Sequence, residues 1–461
     1  MEVQKRENYP FYDVDPESGK IIMKHFGIIV CLCRAGFSRA KISENNYVLV
    51  RNIDNKIRLA SEADLIDHLK GQIIDDPNPK VMEAFTRGVG QYISSKKIHL
   101  IPSLDIGSDM DDEFSSKFFF ANKIVAVTKE KLQDVAYNNY PGYIWEDRLL
   151  THNIGEKPDK SGQFESFCKK ISGEDDKKFR RFKSILGYLL HRHKNPALAK
   201  AVIFYDEKMN DSGQAEGGTG KTLITLALKH CRNVVVFNGK EIKENSWFRN
   251  QRIELTTDLM AYDDVKKEFN FATLFPVITT SIEVEKKRQQ AFEIPFEKSP
   301  KVLISSNHYV KGPGGSSDRR RRCEFELTNH YSEKFSPEDD FGNLFFNQWN
   351  QLEWDKFYFF MMQCVQVFLT EGLIKGNTEK EKNRRLENLT APEFIQVIQG
   401  LSPLGEWVDQ RDLIGLLKTE IPDLNAHTFT KWMSIYCDEN GLNQEKKSSG
   451  GVYYYRLVKR E

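Results

Sequence analysis

Between residues 201 and 330 the apolar positions fall in short unbroken blocks separated by polar turns: AVIFYD (201–206), NVVVFNG (233–239), LMAYDDV (259–265), SPKVLISSN (299–307) and RCEFEL (322–327). Blocks this short, rich in β-branched residues and without alternation, predict strands buried on both faces. That is the pattern of a mostly parallel sheet covered by helices. Residues 163–200 change to a helical period, and 341–373 predict an aromatic-rich helical pair. The first 150 residues read as mixed α/β. YVLVRNI (47–53), IHLIP (98–102) and KFFFANKIVAVT (117–128) predict strands, with a helix over EADLIDHLKGQI (62–73). After a charged linker, KGNTEKEKNRRLEN (375–388), two helices (411–420 and 426–440) precede a Gly-tipped hairpin (441–457). Helix, helix and hairpin suggest a winged helix, equally suited to docking a protein and to reading DNA.

The fold class expected is therefore multidomain α/β. Its parts are an N-terminal α/β domain over 1–150, a helical segment over 151–200, a phosphate-loop core over 201–374 and a winged-helix-like module over 390–461. Charge adds little, because 67 Lys+Arg against 66 Asp+Glu leave a net charge of +1. Any nucleic-acid contact must come from local patches. The basic stretch 177–183 reads as a solvated helix face, with a contact to DNA phosphates as the alternative. The acidic stretch DIGSDMDDEF (105–114) reads as a solvated loop.

Seven cysteines are scattered, and Cys31-Leu-Cys33 lies in the apolar run GIIVCLCRAGF (27–37), which predicts a buried strand rather than a zinc site. With no signal-like start and no apolar run of about 20 residues, the expectation is a soluble protein of a reducing cytoplasm, without membrane contact.

The chemistry concentrates after the first core strand. QAEGGTGKTLITLALKH (214–230) fits G-x-x-x-x-G-K-[ST], with Ala215 in place of the first Gly. Gly217, Gly218, Thr219 and Gly220 would turn backbone amides into an anion nest at a helix N-terminus. Lys221 would reach the β- and γ-phosphates, and the Thr222 hydroxyl would meet Mg²⁺. A nucleoside triphosphate with Mg²⁺ is thus the expected ligand.

Further along, Asp263 and Asp264 end a strand, the first suited to the Mg²⁺ shell and the second to polarising water. Asn307 ends the next core strand, where it could orient that water or sense the γ-phosphate; a turn-capping Asn is the plainer alternative. GGSSDRRRRCEFEL then places Arg319, Arg320, Arg321 and Arg322 in a Gly/Ser loop. An arginine there could reach a neighbouring subunit's phosphate or grip nucleic acid. Between acids and Asn, strand-like SIEVE and AFEIPF flank Lys286, Lys287 and Arg288, a basic tip suited to a phosphate backbone.

The order of glycine loop, Asp-Asp strand, basic hairpin, Asn strand and arginine loop resembles the superfamily 3 helicases, compact AAA+ ATPases of viruses, phages and plasmids. GGTGKT, AYDDV, EVEKKR, SPKVLISSN and FNQWNQLEWDKFYFFMMQC resemble most closely the phage and poxvirus-like primase-helicases, over roughly residues 115–373. The resemblance implies an ATP-dependent, ring-forming DNA helicase for replication of a phage or mobile element in a bacterial cytoplasm. It implies a hexamer acting on single-stranded or forked DNA. Lys221 and Thr222 would bind nucleotide and metal, Asp263 and Asp264 would be the Walker B pair, and Asn307 the sensor. One of Arg319–Arg322 would be the finger, Lys286 and Lys287 the pore hairpin, and 151–200 an oligomerising collar. Residues 1–150 are short for a primase domain and carry no convincing set of catalytic acids. The rival readings are a nucleotide-switched DNA-binding protein that does not unwind, and a scaffold whose terminal module recruits a primase or polymerase.

Overall fold

The computed structural model describes residues 11–43, 46–107, 110–207, 218–242, 247–287, 291–376, 378–401 and 405–460. The chain divides into two compact units, one of residues 1–110, 118–125 and 134–153, the other of 111–117, 126–133 and 154–461.

In the first unit, strands Phe37–Ser43, Asn46–Ile53 and Lys56–Leu59 form an antiparallel meander, extended at its two edges by Ser103–Leu104 and Ile144–Trp145 in parallel. Helices His25–Arg34, Glu62–Ile73 and Pro79–Tyr92 cover it through Ile28, Leu32, Leu65, Leu69 and Phe85. The run 27–37 is thus mostly helix, not a buried strand. Its buried residues Gly27, Ile28 and Leu32 recur at helical spacing, whereas Cys31 and Cys33 are only half-buried. IHLIP is not a strand either: the amides of Lys97 and Ile98 bond back to the Ser94 carbonyl and wind a helical turn, Ser95–Ile98. The run 117–128 is two strands, Ser115–Phe119 and Ile124–Thr128, broken where the Phe120 amide bonds the Lys123 carbonyl at 3.0 Å.

The second unit is built on five parallel strands: β1 (Ala201–Asp206), β2 (Val234–Asn238), β3 (Leu259–Asp263), β4 (Lys301–Ser306) and β5 (Arg322–Leu327), in the order β2-β3-β4-β1-β5. Every residue of β1 and β4 is buried, the polar Asp206, Lys301, Ser305 and Ser306 included, as a sheet covered on both faces requires. Helices Gln163–Ile171 and Asp176–Leu190 pack on Gln351–Glu371. A Cβ on Gly187 would run into the Cys364 carbonyl oxygen, so only glycine allows this close crossing.

Several expectations change here. Residues 341–373 hold a single long helix, Gln351–Glu371, capped by the Asn350 side chain. The short helix before it, Pro337–Phe341, ends at left-handed Gly342, so the chain turns before the long one starts. The arginine segment is a helix, Gly315–Arg321, because buried Asp318 accepts both the Gly314 amide and Arg322 Nε. The acidic stretch is not wholly solvated. Asp111 is fully buried, ion-paired with Arg192 at 2.8 Å, and that guanidinium holds its carboxyl well below the usual range against the opposing effect of burial. The 375–388 linker is largely the helix Thr378–Leu389, whose Leu386 joins the terminal core.

That core also takes Leu413, Leu417, Phe429, Met433, Tyr455 and Leu457 from helices Gln410–Glu420 and Ala426–Asn440 and the hairpin Leu442–Ser449/Val452–Lys459. The hairpin turns at Gly450 and Gly451, with φ of 59° and 80°, the left-handed pair that a two-residue turn demands. No helix among the described residues is long and apolar enough to cross a membrane.

Candidate nucleotide site

In an open parallel sheet, strands leave their polar ends at one edge, where the strand order reverses. Here β1 lies between β4 and β5, and the carboxyl ends of β1, β3 and β4 converge on one hydrogen-bonded chain. Lys221, first residue of the helix Lys221–Lys229, donates its ammonium to Asp206 Oδ2 and to Asn307 Oδ1, the latter at 2.8 Å. Asp206 Oδ1 accepts the Thr219 hydroxyl at 2.6 Å. The Asn307 amide nitrogen donates to Asp264 Oδ1 at 2.9 Å. Ser305 Oγ donates to Asp263 Oδ1 at 2.6 Å and accepts the Asp264 amide at 2.9 Å.

The backbone is bent to make this fit. Asp264 has φ of 53°, in the left-handed region a non-glycine residue enters only at a cost. A Cβ on Gly239 would lie 2.6 Å from both the Asp263 carbonyl oxygen and the Val265 amide nitrogen, so the β2 loop can touch the acid turn only as glycine. The residue after it, Lys240, pairs with Asp264 Oδ2 at 2.5 Å, and that hydrogen bond raises the Lys240 pKa. On the loop side, Gly220 (φ 100°) starts the helix left-handed with no side-chain cap, and a Cβ there would strike the Phe167 ring at 2.5 Å. Gly218 is also left-handed at φ 108°. Amides of the helix's first turn are thus left without a capping side chain. Thr222 is exposed in that turn. Ala215 and Gly217 lie outside the described residues.

Lys221, Thr219, Asp264 and Asn307 are brought into one network, and Asp263 joins it through Ser305. Asp206, Ser305 and Lys240 belong to the same network and were not singled out in the sequence. Asp206 had one visible sign, a carboxylate closing an otherwise apolar buried strand just before the glycine loop. Lys240 had none beyond following a strand and a glycine.

The four arginines diverge. Arg319 is held by the Asp438 carbonyl and, at 3.1 Å, by Glu439 of the helix Ala426–Asn440. Arg320 is exposed. Arg321 lies over the Phe275 ring, 4.6 Å from its centroid, and bonds the Ser317 carbonyl. Arg322 is buried, ion-paired with Asp318 and Glu324 and stacked on Phe271, so its donors are taken up inside the unit. The basic hairpin is a pair of strands, Ile282–Val284 and Phe292–Ile294. Lys286 is tied back to Glu254 at 2.5 Å with its side chain 19 % exposed, Lys287 is exposed, and Arg288 lies outside the described residues. Among the described residues no group of three or more His, Cys, Asp or Glu could hold a metal ion.

No family model matches the chain, and neither does any curated protein sequence. Among solved structures it is similar to the A form apo structure of the NrS-1 C-terminal region, at 12% identity and a TM-score of 0.46, over 94% of this chain and 99% of that one. The apo structure of NrS-1 C-terminal region 305–718 gives 13% identity and a TM-score of 0.47 over the same shares. Likeness this distant carries no argument about function.

Proposed function

We propose that the chain is an ATP-driven DNA helicase of the AAA+ type that works as a ring in the replication of a phage or mobile element. The observation that carries the reading is Asn307, whose one amide touches both Lys221 and Asp264. Three residues far apart in sequence thereby meet at the carboxyl edge of a parallel sheet, where phosphate sites form. The residues present fit a nucleotide with Mg²⁺: an ammonium, an uncapped helix start and oxygen donors from Thr222 and Asp263. When bound, that pair would supply the phosphoanhydride whose hydrolysis drives movement.

In this reading Lys221 and the amides around Gly218 and Gly220 hold the β- and γ-phosphates. Asp264 aligns the attacking water and takes up its proton, with Asn307 fixing the carboxylate's orientation. The Lys240 ion pair must open for Asp264 to act as base. Arg320, exposed beside three engaged neighbours, is the arginine to offer to the next subunit, and a head-to-tail contact that closes by rotation makes the ring. Lys287 is the exposed cation of the hairpin and the one to meet the DNA backbone. The terminal module is the winged-helix-like part of this scheme. ATP hydrolysis by the purified chain, stimulated by single-stranded DNA and abolished in Lys221→Ala, tests the assignment; equal turnover by that variant overturns it.

A further inference from the structure

The terminal hairpin has a second face that the hydrophobic core does not use. Tyr455 and Leu457 of its second strand point into the core. The residues between and beside them, Tyr454 and Arg456, point the other way and stand opposite Lys447 and Glu445 of the first strand. Trp407, just before the short strand Val408–Asp409 that pairs with the same ribbon, completes this outer face. Lys447 Nζ lies 4.2 Å from the Trp407 ring centroid and 5.6 Å from that of Tyr454, and the Arg456 guanidinium carbon lies 4.8 Å from Trp407. Rings and cations thus alternate across one sheet surface. Lys447 is exposed on this face, whereas Lys446 and Tyr453 alternate onto the other one, Lys446 over the ring of Tyr455.

Charge is concentrated here as well. Residues 441–460 carry Lys446, Lys447, Arg456, Lys459 and Arg460 against the single carboxylate Glu445, in a chain whose net charge is +1. A solvated hairpin has no need of two half-buried aromatic rings interleaved with cations. Water-facing rings cost apolar exposure, and clustered lysines repel one another.

We infer that the outer face of the terminal hairpin, built on Trp407, Tyr454, Lys447 and Arg456, is a binding site for single-stranded nucleic acid. Lys447 meets the phosphates and the rings stack on bases. Unpaired strand rather than duplex is the occupant, because a duplex keeps its base faces covered by neighbouring pairs and offers nothing for Tyr454 to stack on. The site is separate from the hairpin that carries Lys287 and does not rest on the nucleotide-site reading, since stacking and phosphate binding need no hydrolysis.

The test is fluorescence anisotropy of labelled oligothymidylate, its RNA counterpart and a DNA duplex titrated with the full chain, without nucleotide and over a salt series. Binding of either single strand ahead of duplex is expected, and the DNA-to-RNA ratio identifies the sugar preferred. Lys447→Ala should flatten the salt dependence by about 0.7, for the one phosphate no longer neutralised. Tyr454→Leu should weaken single-strand binding about tenfold or more with the slope unchanged, the signature of a missing stack rather than a missing charge. Circular dichroism and thermal melting check that each variant folds as the parent. Unchanged affinity and slope in both variants overturn the inference. So does a preference for duplex with Tyr454→Leu neutral, or capture of a protein partner by this face without oligonucleotide binding.

Discussion

Replacing Asp206 with Ala removes the one carboxylate that holds both Thr219 and Lys221. The side chains of Asp206 and Lys221 are only 6 % and 11 % exposed, so the ammonium left behind is poorly reached by water. Breaking a fully buried pair costs about 3–5 kcal/mol. Lys221 keeps its 2.8 Å bond to Asn307, so a loss of about 2–3 kcal/mol is the better figure here. For a unit of 323 residues that is a fall in melting temperature of roughly 3–4 °C. A phosphate entering the site would replace the missing anion. Added ATP analogue with Mg²⁺ should therefore raise the melting temperature of Asp206→Ala by more than it raises that of the parent. Differential scanning calorimetry with and without the analogue reads both effects. Asp206→Asn, which keeps an oxygen for Thr219, should lose less. An Asp206→Ala protein that melts with the parent, or that gains no more from nucleotide than the parent does, would refute the reasoning.

Asp264→Asn should still bind nucleotide yet turn over about 10²–10³-fold more slowly, read by equilibrium binding beside steady-state ATPase. Arg322→Ala should destabilise by about 3–5 kcal/mol in denaturant melts, since it strands buried Asp318 and Glu324, whereas Arg320→Ala should leave stability unchanged. Mixing Arg320→Ala with Lys221→Ala should restore some ATPase if arginine and loop act across subunits; no restoration in rings shown to be mixed moves Arg320 to a role within its own subunit. Burial, with nearby Lys301, lowers the His191 pKa from 6.5 to about 4. The unfolded chain therefore binds this proton first as pH falls, and stability should decline between about pH 6.5 and 4, a slope that His191→Gln should reduce.

The parallel sheet was legible because β1, β3 and β4 are unbroken apolar runs that only a two-sided covering can bury. The terminal helices and hairpin were legible for the same reason, a period plus a Gly-Gly turn. What sequence hid was mostly long-range pairing. Asp111 looks solvated until Arg192, 81 positions away, closes on it. The run containing Cys31 and Cys33 has the β-branched content of a strand, and only the spacing of Gly27, Ile28 and Leu32 against the core marks it as helix. At the site, a motif names Lys221, but the carboxylate that holds it comes from the end of another strand. Four adjacent arginines look interchangeable in sequence. Burial of Arg322, the ring beneath Arg321 and the Glu439 ion pair of Arg319 separate them.

On the proposed function, the network around Asn307 hydrolyses ATP to move along DNA. The most direct measurement is unwinding of a forked DNA duplex by the purified chain, followed beside its ATPase rate, for the parent and for Lys221→Ala. ATPase stimulated by single-stranded DNA, strand separation that requires ATP and Mg²⁺, and loss of both in the variant are expected. A parent protein that hydrolyses ATP and binds DNA without separating strands would contradict it and leave a nucleotide-switched binder. A variant that still unwinds would remove Lys221 from the site altogether.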